Sequence, residues 1–185
     1  MSKLPRLLIV LGLTLLFSQS SRAHTLDTLV SRPAADGWTH YSDGFDIDLP
    51  TVLKTYSKHK NAGGWWVFGT LDSAIVMDFA QLKINAPQSI VAEVKVSPFR
   101  SQSDWDQEEN LYSSIGGKNA IVKILQNGET QKSSLTQLGS KTEGLFMFHM
   151  TTKHGDKLSR LNITYSLPNQ LVMDSILPRI AASFH

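Results

Sequence analysis

Gly144-Leu-Phe-Met-Phe-His-Met-Thr-Thr-Lys-His-Gly-Asp-Lys-Leu-Ser-Arg-Leu-Asn-Ile-Thr-Tyr-Ser166 is the stretch on which the fold turns. Neighbouring side chains of an extended strand point to opposite faces. Leu145, Met147 and His149 therefore share one face, and Phe146, Phe148 and Met150 share the other. Apolar residues on both faces predict a central strand covered on both sides. In the second run, Leu161, Ile163 and Tyr165 alternate with Asn162, Thr164 and Ser166. Lys153-His154-Gly155-Asp156 between them is a turn, so residues 144–151 and 157–167 are predicted to form a hairpin.

Upstream, Phe45, Ile47 and Leu49 alternate with Asp46 and Asp48 until Pro50 stops the run. Asn61-Ala-Gly-Gly64 marks a turn before the apolar run Trp65-Trp-Val-Phe68. Residues 74–80 and 91–96 read as further strands, as do 119–125 and 130–136. Two segments change period. Ser103-Asp-Trp-Asp106 is read as a helix start with Ser103 as N-cap, and Gly116-Gly117 as its stop. From Asn169 to Phe184, Leu171, Val172, Ile176, Leu177, Ile180 and Phe184 recur at helical spacing, with Pro178 expected to kink or divide the helix. Hairpins dominate, and no regular alternation of strand and helix appears. The fold class is α+β, a mainly antiparallel sheet flanked by helices in an α/β/α sandwich.

Several of these features resemble the Mog1/PsbP/DcrB-like group. They are Gly44-Phe-Asp-Ile-Asp-Leu-Pro50, the strands between Trp65 and Phe79, the Ala92–Val96 strand with its following helix, the Gly144–Tyr165 hairpin, and the final Ala182-Ser-Phe184. The resemblance covers about residues 40–185. It implies an α/β/α sandwich and a binding or assembly role, with no catalytic residues to transfer.

The N-terminus reads as an export signal. Lys3 and Arg6 precede an apolar run from Leu7 to Phe17, and Ser21-Arg22-Ala23 places small residues at −3 and −1 of a cleavage site. The run is about eleven residues, short of the roughly 20 a membrane span needs. The expected organisation is a cleaved signal peptide at 1–23, a flexible lead-in at 24–40 and a single domain at 41–185. The mature chain is expected to be periplasmic or secreted, and soluble. The full chain has 18 basic and 16 acidic residues. Lys3, Arg6 and Arg22 leave with the signal and no acid does, so the mature domain carries 15 basic against 16 acidic, a net charge of −1. No dense cationic face remains for nucleic acid. The absence of cysteine excludes disulfides, thiol catalysis and cysteine zinc sites.

The remaining polar residues form no recognisable catalytic motif. His24, His40, His59, His149, His154 and His185 include no helical zinc pair at i, i+4. No Gly-x-Ser-x-Gly elbow orders a hydrolase triad. Asp46 and Asp48 lie on one strand face, as the wet side of an amphipathic strand requires. Asp104, Asp106, Glu108 and Glu109 form the densest acidic cluster, without the glycine-containing order of an EF-hand. No cofactor or metal is assigned. The best functional lead is Trp65-Trp66, where one ring can enter the core while the other faces outward as a partner anchor. Lys58 and Lys60 could rim that site, and Asp104 and Glu108 would supply an acidic contact.

These features point to a non-enzymatic exported binding or accessory protein with a protein partner. Toxin neutralisation and envelope assembly are its two concrete forms. A small-ligand carrier, which needs an apolar cavity between helix and sheet, and a periplasmic hydrolase are the alternatives.

Overall fold

A computed structural model describes residues 29–34, 36–56, 59–70, 77–78, 81–82, 90–115, 120–139 and 144–185; of 77–78, 81–82 and 109–115 only the backbone is described. The signal segment, Lys58, the double glycine after the first helix and most of the 74–80 strand lie outside these residues.

The chain begins with β1 (Val30–Ala34), β2 (Trp38–Ser42) and β3 (Asp46–Pro50), an antiparallel three-stranded sheet in that order. The sequence reading treated residues 24–40 as a lead-in, so the β1–β2 hairpin is a correction. Its signal is Asp36-Gly37, both at positive φ (63° and 79°). Aspartate followed by glycine suits the left-handed positions of a tight hairpin turn. β1 itself is largely exposed and contains Pro33, which hid it from a periodicity search.

The main sheet has seven strands in the order β4 (Leu53–Thr55), β5 (Trp66–Thr70), β8 (Ile90–Pro98), β12 (Lys157–Ser166), β11 (Leu145–His154), β10 (Gln131–Leu138) and β9 (Ile121–Asn127). Every pairing is antiparallel. Short β6 (Met77–Asp78) and β7 (Gln81–Leu82) pair separately. The β11–β12 hairpin sits near the centre, with Gly155 at φ 58° supplying its turn.

Helix α1 (Gln102–Ile115) lies against one face of the main sheet. Its cap is Ser101, whose Oγ accepts from the Asp104 amide at 3.2 Å. Ser103 is therefore inside the first turn rather than at the cap, and the Asp106 carboxylate accepts from the Gln102 side chain at 3.0 Å. Helix α2 (Gln170–Ser183) lies on the other face and is entered through a short 3-10 turn, Leu167–Asn169. It stays one helix through Pro178. Pro178 cannot donate to the Asp174 carbonyl, and burial of Met173, Leu177 and Ile180 on either side holds the element together.

The three-stranded sheet shares the α2 side. Tyr41 of β2 meets Phe68 of β5 with ring centroids 4.7 Å apart. Asp46 and His185 exchange both backbone hydrogen bonds, and Ser183 Oγ accepts from the Asp48 amide. Arg179 stacks over the Trp38 ring at 4.1 Å. A continuous core follows: Ile47 and Leu49 from the small sheet, Trp66, Phe68, Ala92, Val94, Phe148, Leu161 and Ile163 from the large one, and Met173, Ile180 and Phe184 from the C-terminus.

Candidate functional site

The residues singled out by sequence separate into three places. Trp66 is buried, with Nε1 donating to Asp43 Oδ2 at 2.7 Å. Lys60 pairs with the same carboxylate at 2.6 Å and lies 5.8 Å from the Trp66 ring centroid. Lys60 and Trp66 are thus brought together as part of the loop's own anchorage. Trp65 is half-buried on the opposite sheet face, under Lys95 Nζ at 5.5 Å. The outward partner of the tryptophan pair is Trp65. Asp104 sits in the first turn of α1. Glu108, two turns into α1, is buried and binds Arg160 through both carboxylate oxygens, with Thr151 Oγ1 donating to Oε2 at 3.1 Å. Register explains why one carboxylate meets these residues: Thr151 and Arg160 are direct cross-strand partners.

Around Glu108 the α1 face is polar. Lys132, itself buried, donates to the Trp105 carbonyl at 2.8 Å and lies over the Trp105 ring. One row along, Glu93, Asn162, His149 and Ser134 stand opposite one another on four adjacent strands. His149 Nδ1 is 2.7 Å from Asn162 Oδ1, and Asn162 also hydrogen-bonds Glu93. Burial pushes the His149 pKa down, against the opposing effects of Asn162 and Glu108. Burial pushes the Glu93 pKa up, with Asn162 opposing. His149 is a wholly buried strand residue, as its apolar sequence neighbours suggested. His40 instead bridges Asp48 at 2.9 Å and Asp46 at 3.1 Å on the small sheet.

A third place was not read from the sequence. Between α2 and the outer strands β9–β11 runs an open groove of about 1200 Å³. Leu135, Phe148 and Met150 form its floor, Leu177, Pro178 and Ala181 its helical wall, and Lys123 and Leu125 its strand lip. Buried Thr152 also lines it, and its Oγ1 has no hydrogen-bond partner among the described residues. The groove arises from widths. Seven strands about 4.8 Å apart make a sheet roughly 29 Å across, and one helix about 10 Å wide covers a fraction of it. The three-stranded sheet covers the β4–β5 flank, while β9–β11 have no such cover among the described residues. Leu125, 47 % exposed, lines the gap, and two exposed aliphatics lie beyond its lining on the same elements: Ile121 at 62 % on β9 and Leu171 at 85 % on α2. Leu171 is seven residues before Pro178, which puts both on one stripe of α2.

Among the described residues no group of three or more histidines and carboxylates is arranged to hold a metal, and no helix is long and apolar enough to cross a membrane.

No protein-family model matches the chain, and no curated protein matches it. Solved structures do. The Ran-binding protein Mog1p of Saccharomyces cerevisiae is 11 % identical, with TM-score 0.48 over 85 % of this chain and 94 % of that one. Cyanobacterial PsbP from Synechocystis is 11 % identical, with TM-score 0.47 over 88 % and 95 %. LpqN, involved in cell envelope biogenesis of Mycobacterium tuberculosis, is 10 % identical, with TM-score 0.51 over 84 % and 88 %. At these identities the likeness is one of fold alone, and the fold is that of the Mog1/PsbP-like group.

Proposed function

We propose that this chain is a non-enzymatic exported protein that works by binding another protein in the bacterial envelope. The observation that carries the reading is the groove beside α2: about 1200 Å³, open on one side, floored by Leu135, Phe148 and Met150, with Leu125 exposed on its strand lip and Pro178 exposed on its helical wall. An open groove with an apolar floor on a domain surface marks a contact site more often than a vacant one. Envelope assembly, the kind of process LpqN is involved in, and toxin neutralisation are the two forms this role would take. Export rests on the signal peptide read at residues 1–23, and N-terminal sequencing of the exported chain should begin at His24.

The groove also favours a second reading, a small-ligand carrier, because it lies between helix and sheet. Its volume is at or above the roughly 300–1,000 Å³ of ordinary ligand pockets. Its open side along β9 would leave such a ligand wet, which places the carrier reading second.

Affinity capture from a native envelope extract separates the two. The exported wild-type chain should retain a stoichiometric protein. Leu171→Asp, which changes an exposed residue on the same α2 stripe as Pro178, should lose it. Trp65→Ala tests the tryptophan patch separately: loss there with retention by Leu171→Asp would move the contact to the opposite sheet face. Recovery of a small molecule and no protein would overturn the leading reading.

A further inference from the structure

β9 is the last strand of the seven-stranded sheet. It bonds to β10 on one side, and no described strand pairs with its other side. Such an edge offers alternating N–H and C=O groups to any extended chain, and natural proteins usually block it with charges, proline or a bulge. β9 has no proline and one charge, Lys123, in seven residues. Ile121, Ile124 and Leu125 are exposed along it. A bulge places its extra residue, Leu125, in β9 between the pairs Ser134–Ile124 and Ser133–Gln126, so residues 121–124 are the regular part of this edge.

We infer that β9 is a docking edge for an extended acidic segment of the partner protein, which adds as an eighth strand and lays alternate side chains into the α2 groove. The inference rests on the protein-binding reading above and names the partner's chemistry. Three features select this occupant. An open strand edge is matched by another strand, through main-chain hydrogen bonds. The groove begins at the lip formed by Lys123 and Leu125, so every second side chain of an added strand would enter it. Lys123 is the one charged residue on that edge, and an aspartate or glutamate facing it makes a favourable cross-strand pair. A second copy fits less well. Pairing β9 with itself about Ile124 puts the two Lys123 side chains on one sheet face as diagonal neighbours.

Panning a displayed library of random nonapeptides on the exported chain tests this. Enriched peptides should alternate apolar residues and carry an acidic residue. Lys123→Glu should weaken them at least tenfold and shift the enriched charge to Lys or Arg. N-methylation along a synthetic peptide should alternate in effect, with loss of binding at every second amide, because only those N–H groups face β9. Failure to enrich such peptides, binding indifferent to Lys123→Glu, or N-methylation without alternation would overturn the inference. A sedimenting dimer with β9 amides protected from hydrogen exchange would overturn it in favour of self-pairing. An envelope protein whose capture ignores Lys123→Glu and leaves β9 amides exchanging as in the free chain would keep the protein-binding reading and remove strand addition.

Discussion

The two faces of the seven-stranded sheet are built on different physics. The α2 face is an apolar core, in which Phe68, Val94, Leu161 and Ile163 meet α2 and the small sheet. The α1 face is buried too, yet its central rows carry Arg160, Thr151, Lys132, Asn162 and His149. On the first face stability scales with area removed from water, and no one contact is essential. On the second, polar groups out of water must find partners, and each loss leaves another group stranded. One strand therefore serves two environments. In β11, Phe148 belongs to the first and His149, its neighbour in sequence, to the second.

The largest test of this contrast is on the apolar face. Phe68→Ala removes a fully buried ring packed at a tilt against Tyr41 and should cost about 4 kcal/mol. Denaturant unfolding reads this directly. Next is Glu108→Ala, which strands a mostly buried guanidinium and should cost about 3 kcal/mol. The double change Glu108→Met with Arg160→Met should recover most of that loss, because a hydrophobic pair leaves no charge unmatched. If the double variant is as unstable as the single one, packing by α1 matters more than charge on this face.

A smaller effect separates the faces by pH. His149 has a folded-state pKa below its ordinary 6.5, so the unfolded chain takes up a proton that the native chain resists. Its contribution is complete above about 6.5 and is lost as pH falls through the folded-state pKa. Glu93 has the opposite sign. Its folded-state pKa is raised above 4.5, so its effect favours the native chain at low pH and is lost as pH rises through the folded-state pKa. Thermal melts across this range should show the wild type's advantage over His149→Gln shrinking as pH falls, and His149→Gln alone should gain stability toward about pH 4.5. Parallel profiles would remove His149 from the account.

The smallest expected effect returns to the apolar face. Tyr165 is fully buried, its hydroxyl has no hydrogen-bond partner among the described residues, and burial with the nearby Asp174 charge raises its pKa to about 12. Tyr165→Phe keeps the ring stacked on Phe146, 5.4 Å away, and should change stability by less than about 1 kcal/mol, toward gain. A marked loss would reveal a partner for the hydroxyl and make this face less apolar than its residues indicate.

Much of this could be read from residue order. The alternation at 144–166 foretold the central hairpin, and the spacing from Leu171 to Phe184 foretold a covering helix. The misreadings share a cause. β1 was missed because an exposed strand has no apolar alternation, although Asp36-Gly37 marked its turn. The α1 cap was placed two residues late because Ser101 and Ser103 are chemically equivalent, and only the hydrogen bond to Asp104 distinguishes them. Glu108 read as an acidic contact for a partner because the residues it binds, Thr151 and Arg160, are far away in sequence.

What the sequence determined by itself is local: which side chains alternate, where the chain turns, and that the final segment is a helix with one apolar side. These follow from periodicities of about 2 and 3.6 residues, which need no distant partner. The tertiary structure alone decided which strands are neighbours and what stands across each interface. It set Glu108 against Arg160 and Thr151, left β9 at an edge, and opened the groove that one helix cannot span. Such features are products of register and layer width. They come into being only when segments separated by tens of residues are brought together.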